Sequence, residues 1–478
     1  MSPSEDTIAA IASGVAPGAI GIVRVSGPSA TQVCRGITGI QSPLPRRAER
    51  AVFLGPDGQP IDDGLVIFFP GPHSFTGEDV LELQGHGGPA VLQLVLSAVI
   101  ALSAEGRPIR LARPGEFSER AFHAGKLDLL QAQGIADLIA AGSAQAARAA
   151  VRSLRGGFSE AVSRLQDLLT DLRVRVEACL DFPEEDIDFI SRERVSERLL
   201  ALRGQFEVVF AAAQRGAALA QGITIGIVGA PNVGKSSLLN ALAQEELAIV
   251  TPVAGTTRDR IAAQVMIDGI PLSLVDTAGI RDATDAVEQM GIDRSWKTLA
   301  EADLVVWVVD ATGAHMMEGH HLKSLSQHFQ DRFAQTGVAT PLLMLVNQMD
   351  RFEGATPALE ERSDWERLVM PETVRQDLIP ISAKTGQGLD LLRMRLKQHA
   401  GWTDEAGDTA YSARGRQMDA LVRAQGCLRD AAVWLDQGAL ELLAEQLRLC
   451  QLALSELTGE LHSDDLLGAI FSRFCIGK

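Results

Sequence analysis

One stretch limits the folds open to this 478-residue chain more than any other. It reads "GAPNVGKSS", Gly229 to Ser237, and fits G-x-x-x-x-G-K-S/T. It follows the apolar run "ITIGIV" and opens the helix-forming "SLLNALA". A strand that breaks into a glycine loop and then a helix closes backbone N–H groups around phosphate oxygens. The helix dipole adds to the same point. In that frame Lys235 reaches the β- and γ-phosphates and Ser236 ligates Mg²⁺, while Asn232, Val233, Gly234 and Ser237 complete the loop's nucleotide contacts. A chance glycine-rich loop is the alternative, and the companion motifs make it remote.

Those companions follow in order. "LSLVDTAG" closes a second strand with Asp276, then Thr277, Ala278 and Gly279, the last placed to sense the γ-phosphate. "VAGTTRD" offers Thr256 and Thr257, one of whose hydroxyls completes the Mg²⁺ shell; spacing alone does not separate them. "LVNQMD" ends another strand where guanine-binding proteins carry N-K-x-D. There Asp350 accepts from guanine N1 and the exocyclic amine, and Asn347 supports the loop. "PISAK" brings Ser382, Ala383 and Lys384, with a backbone contact to the guanine oxygen. GTP is the implied nucleotide. One departure is plain: Gln348 stands where the motif has lysine. Its shorter side chain covers less of the base, so GTP specificity is expected with reduced affinity.

Hydrolysis needs a water-positioning group, and the position after D-x-x-G is Ile280 rather than the usual Gln. Glu288, in "IRDATDAVEQMG", is the candidate; a solvated switch residue is the alternative. "PNVGKS" together with "TPVAGTTRD" resembles the pattern of potassium-dependent GTPases. That resemblance implies K⁺ held by Asn232 and by carbonyls of the loop carrying Thr251, Val253 and Thr256. A cation there does the work of an arginine finger. Arg258 is the rival charge.

The chain around these motifs divides by texture. Residues 1–120 alternate short β-branched runs ("AIGIVRVSG", "GLVIFFPGP", "DVLELQGHGG") with a helix at "PAVLQLVLSAVIAL", a small α+β domain. Residues 121–221 are helical, with apolar residues three and four apart, and break at "DFPEEDIDF". Residues 222–400 carry near-continuous apolar strands of a parallel α/β sheet. Residues 401–478 return to helix, so the two flanks are expected to form one bundle with the α/β domain inserted. A formal net charge of −17 argues against a general nucleic-acid binder, though it leaves room for a local basic patch or an RNA reached through a partner. Five separated cysteines suggest neither a zinc site nor a disulfide framework. The N-terminus has no signal-peptide pattern, and the longest apolar stretch, from Pro89, is too short and mixed for a membrane span. A cytoplasmic protein is expected.

Several runs serve no generic GTPase purpose: "DTIAAIA", "GIVRVSGP", "SFTGEDVLELQGHGG", "ARPGEFSERAF", "GKLDLLQAQGIADLI", "DFPEEDIDF" and the closing "FCIGK". With the G motifs they make the chain resemble the MnmE (TrmE) family of tRNA-modification GTPases over nearly its whole length. The resemblance implies an N-terminal domain that binds a formyl-tetrahydrofolate and forms a homodimer. It implies work with a flavin-dependent partner, MnmG (GidA), in a heterotetramer or larger complex. Together they would add an aminomethyl or carboxymethylaminomethyl group to the 5-carbon of wobble uridine in certain tRNAs. By matched position, Arg24, Glu82, Lys126 and Lys478 are the folate contacts, and Thr257 is the Mg²⁺ hydroxyl. The chemistry agrees: Arg24 or a lysine pairs folate carboxylates, and Glu82 accepts from a pterin N–H and amino face. "SGVAPGAIGIVR" departs from the family's Pro-Pro-Gly-x-Gly, which puts the local loop shape in question.

Other features have plainer readings. Arg148, Arg152 and Arg155 share a helix face that touches tRNA phosphates or only solvent. His73 and His86 read as loop histidines, and "DFPEEDIDF" lacks the glycine of a calcium loop. Cys475 in "FCIGK" does not fit a prenylation box. Its alternatives are a catalytic thiol activated by Lys478 or a neighbouring cation, and a thiol that only shapes the tail. The rival for the whole chain is a ribosome-assembly or regulatory GTPase with no modification chemistry, but no KH-type domain or second G domain is visible.

Overall fold

The computed structural model describes residues 6–14, 18–181, 188–229, 232–244, 261–267, 270–276, 302–311, 341–351, 378–399 and 410–459, together with Phe474 and Gly477. The chain falls into two compact units: residues 1–139, 151–206 and 419–478 form one, and residues 140–150 and 207–418 the other.

The first unit holds a six-stranded sheet in the order β3-β4-β5-β2-β1-β6. Its strands are β1 (Thr7–Ile11), β2 (Gly18–Ser26), β3 (Glu49–Leu54), β4 (Pro60–Phe69), β5 (Val80–Gly87) and β6 (Ile109–Leu111). All neighbours are antiparallel except β1 and β6. Side chains alternate between faces along a strand. Val23, Val25, Leu81 and Leu83 thus join α1 (Ala30–Thr38) and α2 (Pro89–Ala101) in one core. The residues between them, Arg24 and Glu82, are cross-strand partners on the opposite face. On that opposite face Ile8 and Ala10 pack with Ala112 and with Phe117 of α3 (Glu116–His123). Strand β3 was not anticipated from the sequence, and His86 lies within β5 rather than in a loop. Its Nδ1 meets Asp62 Oδ1 at 2.7 Å, so it serves a cross-strand contact.

Beyond α4 (Leu129–Ala140) and α5 (Ala144–Leu154) run α6 (Gly157–Asp181) and α7 (Asp188–Gln221), and later α10 (Gly415–Gln437) and α11 (Leu440–Thr458). Helix α6 buries Val162, Leu165, Leu169, Leu172 and Val176, and α11 buries Leu443, Leu447, Cys450, Leu454 and Leu457. These alternating three- and four-residue steps make two apolar seams suited to side-by-side helices. Gln166 donates to Ser455 Oγ at 3.3 Å and Arg173 to Gln451, so the helices run antiparallel. Among the described residues no helix is long and apolar enough to cross a membrane.

The second unit carries a six-stranded sheet in the order β12-β11-β10-β7-β9-β8. It comprises β7 (Ile223–Val228), β8 (Ile261–Ile267), β9 (Ile270–Asp276), β10 (Leu304–Asp310), β11 (Leu342–Asn347) and β12 (Leu378–Pro380). Every pair is parallel except β8 with β9. All of β10 but its last residue is buried, and all of β11 but its first, as expected of strands covered on both faces. Strand β8, antiparallel at the edge, was also missed in the sequence. Strand β7 lies between β10 and β9, where the strand order reverses. Open α/β sheets bind ligands beyond the carboxyl ends of strands at that point.

Candidate functional site

The glycine loop leaves β7 at this switch and enters α8 (Lys235–Gln244); α9 (Leu389–His399) follows β12. Lys235 Nζ donates to Gly229 O at 2.7 Å, folding its ammonium over the loop. Asn347, 2% exposed at the end of β11, connects three separate motifs. Its Nδ2 donates to Val233 O at 2.8 Å, and its Oδ1 accepts from the Ala383 N–H at 3.0 Å. The phosphate loop, the base-recognition loop and the "SAK" turn are therefore fixed to one side chain. The contact is close enough to demand glycine: a Cβ on Gly234, whose φ is +92°, would lie 2.3 Å from Asn347 Nδ2.

The guanine-reading carboxylate is also held. Ser382 Oγ donates to Asp350 Oδ1 at 2.7 Å and accepts from Thr385 N–H at 3.2 Å. The Ser382 hydroxyl, with smaller help from Lys384 and Arg351, keeps the exposed Asp350 carboxyl below its usual range. It stays an acceptor, as a guanine N1–H and amine require. Gln348, despite its shorter side chain, still reaches the phosphate loop. Its Nε2 reaches Asn232 O at 3.0 Å, so the amide makes the brace to the phosphate loop. Arg351 Nη1 donates to Gln348 Oε1 at 2.9 Å and orients that amide. Both Asn232 and Gln348 have φ +66°, a left-handed backbone uncommon outside glycine.

Of the remaining nucleotide and metal candidates, Ser236 and Ser237 open α8 and are exposed, and Asp276 ends β9, beside Ile227 of β7 in register. The Asp276 carboxylate lies outside what is described, as do Thr251, Val253, Thr256, Thr257, Arg258, Thr277, Ala278, Gly279, Ile280, Glu288, Cys475 and Lys478.

A second site lies in the first unit. A cavity of 590 Å³ is lined by Arg24, Glu82, Arg46, Phe69, His73 and Phe75 among others. Arg24 Nη2 and Nε both donate to Glu82 Oε1, at 2.8 and 3.1 Å. The Arg24 guanidinium sits between the Phe75 and Phe117 rings, 6.0 and 5.9 Å from their centroids. Two of the four sequence-matched folate residues thus meet here. Lys126 does not line the cavity, but its Cε lies 3.5 Å from where a Gly77 Cβ would sit, two residues beyond the cavity-lining Phe75. Sequence reasoning missed Arg46, Phe69 and Phe75 and treated His73 as a plain loop residue; the aromatic run "FFPGPHSF" was the available signal.

Comparisons with known proteins point to one family. Residues 7–126 match the family described as GTP-binding protein TrmE N-terminus, and residues 129–475 match the MnmE helical domain. The tRNA modification GTPase MnmE of Nitrosomonas europaea is 48% identical over 477 residues, covering 99% of this chain and 100% of the relative. The protein of the same name from Stutzerimonas stutzeri is 48% identical over 479 residues, covering all of both chains.

Proposed function

The chain belongs to the MnmE (TrmE) family, and from that membership we propose a potassium-dependent GTP-hydrolysing enzyme of tRNA wobble-uridine modification. The observation that carries the reading is Asn347, which bonds the phosphate loop and the "SAK" turn at once. That linkage suits a protein whose guanine recognition must report on the phosphate end. In the cytoplasm, as a homodimer with a MnmG (GidA)-type flavoprotein, it would act on the 5-carbon of the wobble uridine.

The chain's own groups supply the following. Lys235 offers positive charge to the β- and γ-phosphates, and the start of α8 offers N–H groups to their oxygens. Asp350 accepts from the guanine edge. Ser236 and Thr257 would hold Mg²⁺, and Asn232 with the carbonyls of Thr251, Val253 and Thr256 would hold K⁺. When bound, these cations neutralise charge that develops on the phosphate oxygens. Glu288 would orient the attacking water. The exposed Ser236 at the helix start and the left-handed Asn232, its carbonyl fixed by Gln348, fit these roles.

In the first unit the residues fit a reduced folate. Glu82 and Arg24 offer an acceptor and donors to a pterin edge, and the phenylalanines offer flat apolar walls. The folate, when bound, supplies a one-carbon unit. Lys126 and Lys478 would add charge, and Cys475 would act as a thiol beside it.

The test has two arms. GTP hydrolysis should be several-fold faster in K⁺ than in Na⁺, and Asn232→Ala should remove the difference; equal rates would remove potassium from the proposal. Strains without the gene should lose modified wobble uridine in a mass-spectrometric tRNA profile, and normal nucleosides there would sink the tRNA assignment.

A further inference from the structure

The cavity contains two arginines, and they are not equivalent. Arg24 is spent on Glu82, to which it makes two hydrogen bonds on one oxygen. Its charge is therefore matched before any ligand arrives. Arg46 has no carboxylate partner among the described residues. Its guanidinium donates instead to the His73 carbonyl and lies over the Phe69 ring, 5.8 Å from the centroid. Neither partner cancels its charge.

Arg46 is also held in place at some cost. Its φ is +57°, in the left-handed region that non-glycine residues rarely adopt. Such conformations persist where the surroundings enforce them, and they gather at functional sites. Here the Arg46 N–H donates to Phe68 O at 2.7 Å, and Pro45 bridges to the same residue. An exposed arginine with a free backbone would have no reason to stay in that conformation. Its neighbour Arg47 is exposed too but does not line the cavity.

We propose that Arg46 is the anion-binding residue of the cavity, and that the ligand is a flat heterocycle bearing carboxylates on a flexible tail. This rests on the folate reading of the same site and assigns its halves. The Arg24–Glu82 pair reads the heterocycle edge, and Arg46 takes the tail carboxylate in a charge-assisted, two-pronged contact. The tail assignment thus moves from Arg24 or a lysine, where charge pairing alone would put it, to a residue about twenty positions after Arg24 in the chain.

The experiment measures binding of 5-formyltetrahydrofolate, and of its dimethyl ester, to the full-length protein. Arg46→Gln should weaken the free acid about ten- to hundredfold, the loss of one hydrogen-bonded charge. Arg47→Gln should leave it unchanged, which controls for general surface charge. The ester should bind the wild type as weakly as the free acid binds Arg46→Gln, and Arg46→Gln should not weaken the ester further. Melting temperatures of the variants report whether each is folded. An unchanged affinity in a folded Arg46→Gln protein overturns the assignment, as does an ester that binds like the acid. A wild type that binds neither compound removes the folate reading itself, and this inference with it.

Discussion

Gln348 occupies the position at which this chain departs most visibly from the guanine-binding pattern, and the geometry around it changes what the departure means. The amide does not simply fall short of a lysine. Arg351 donates to its oxygen, which turns its nitrogen onto the Asn232 carbonyl. A positive charge stays near the phosphate loop, but one step removed and carried by another residue. Gln348→Ala and Arg351→Ala should each weaken GDP binding about two- to tenfold, the range for one net hydrogen bond. Because they break the same chain, the double variant should be no weaker than Gln348→Ala alone. Gln348→Lys should tighten binding and make Arg351→Ala harmless. Fluorescent-nucleotide titrations of the wild type and these variants decide it: additive losses would mean that Arg351 acts on its own. The sequence identified the substitution, but the compensating arginine was invisible there, since nothing in "NQMDR" says which side chain turns toward which.

At the scale of elements, α3 shows how a helix is fixed to the sheet edge. Glu116, its first residue, is 2% exposed and bonds Arg110 of β6 at 2.8 Å, together with the Arg113 N–H at 2.8 Å. Arg110 and Arg120 also reach Asp6, at 2.6 and 2.8 Å. Burial alone would raise the Glu116 pKa, but the Arg110 hydrogen bonds and the Arg113 N–H overcome it and bring it from 4.5 to about 2. A folded-state pKa below the unfolded one means stability that is fully present above pH 4.5 and is lost as pH falls toward 2. The shift corresponds to about 3 kcal/mol. Glu116→Gln should cost the first unit roughly that amount at neutral pH and flatten its urea-stability curve below about pH 4.5. Parallel curves for the two proteins would show that the carboxylate is not the group that titrates. Legibility at this scale followed pattern strength. The buried parallel strands and the long helices announced themselves through unbroken apolar runs and three–four spacing. The strands β3 and β8 did not, because at sheet edges only alternate residues are buried, as in the half-exposed "ERAVFL". The nucleotide motifs were legible because phosphate and guanine chemistry demand fixed residue types at fixed spacing. The cavity was not, because residues from separate strands and loops assemble it.

At the scale of the whole chain, the closing "FCIGK" is fastened to the first unit at two points. Phe474 is 7% exposed and packs against Leu129, Ala132 and Phe122 of the α3–α4 region. Gly477 has φ +94°, and a Cβ on it would lie 2.3 Å from Ile11 O and 3.0 Å from Ala12 Cα, at the end of β1. Only glycine allows that approach, since any side chain meets backbone that cannot move aside. Gly477 therefore sits against the end of β1, the strand paired with the one that bears Arg24. Gly477→Ala should displace this segment without touching the nucleotide motifs. A misplacement of about 1 Å can cost 10²-fold in a reaction that depends on positioning. We therefore expect GTP hydrolysis at the wild-type rate and wobble-uridine modification reduced by at least about tenfold, read from tRNA nucleosides of a complemented strain. Cys475→Ser should match it if the thiol reacts, and should retain modification if the thiol only shapes the tail. A Gly477→Ala protein made at normal levels with full modification would show that the close approach at Ile11 is packing alone.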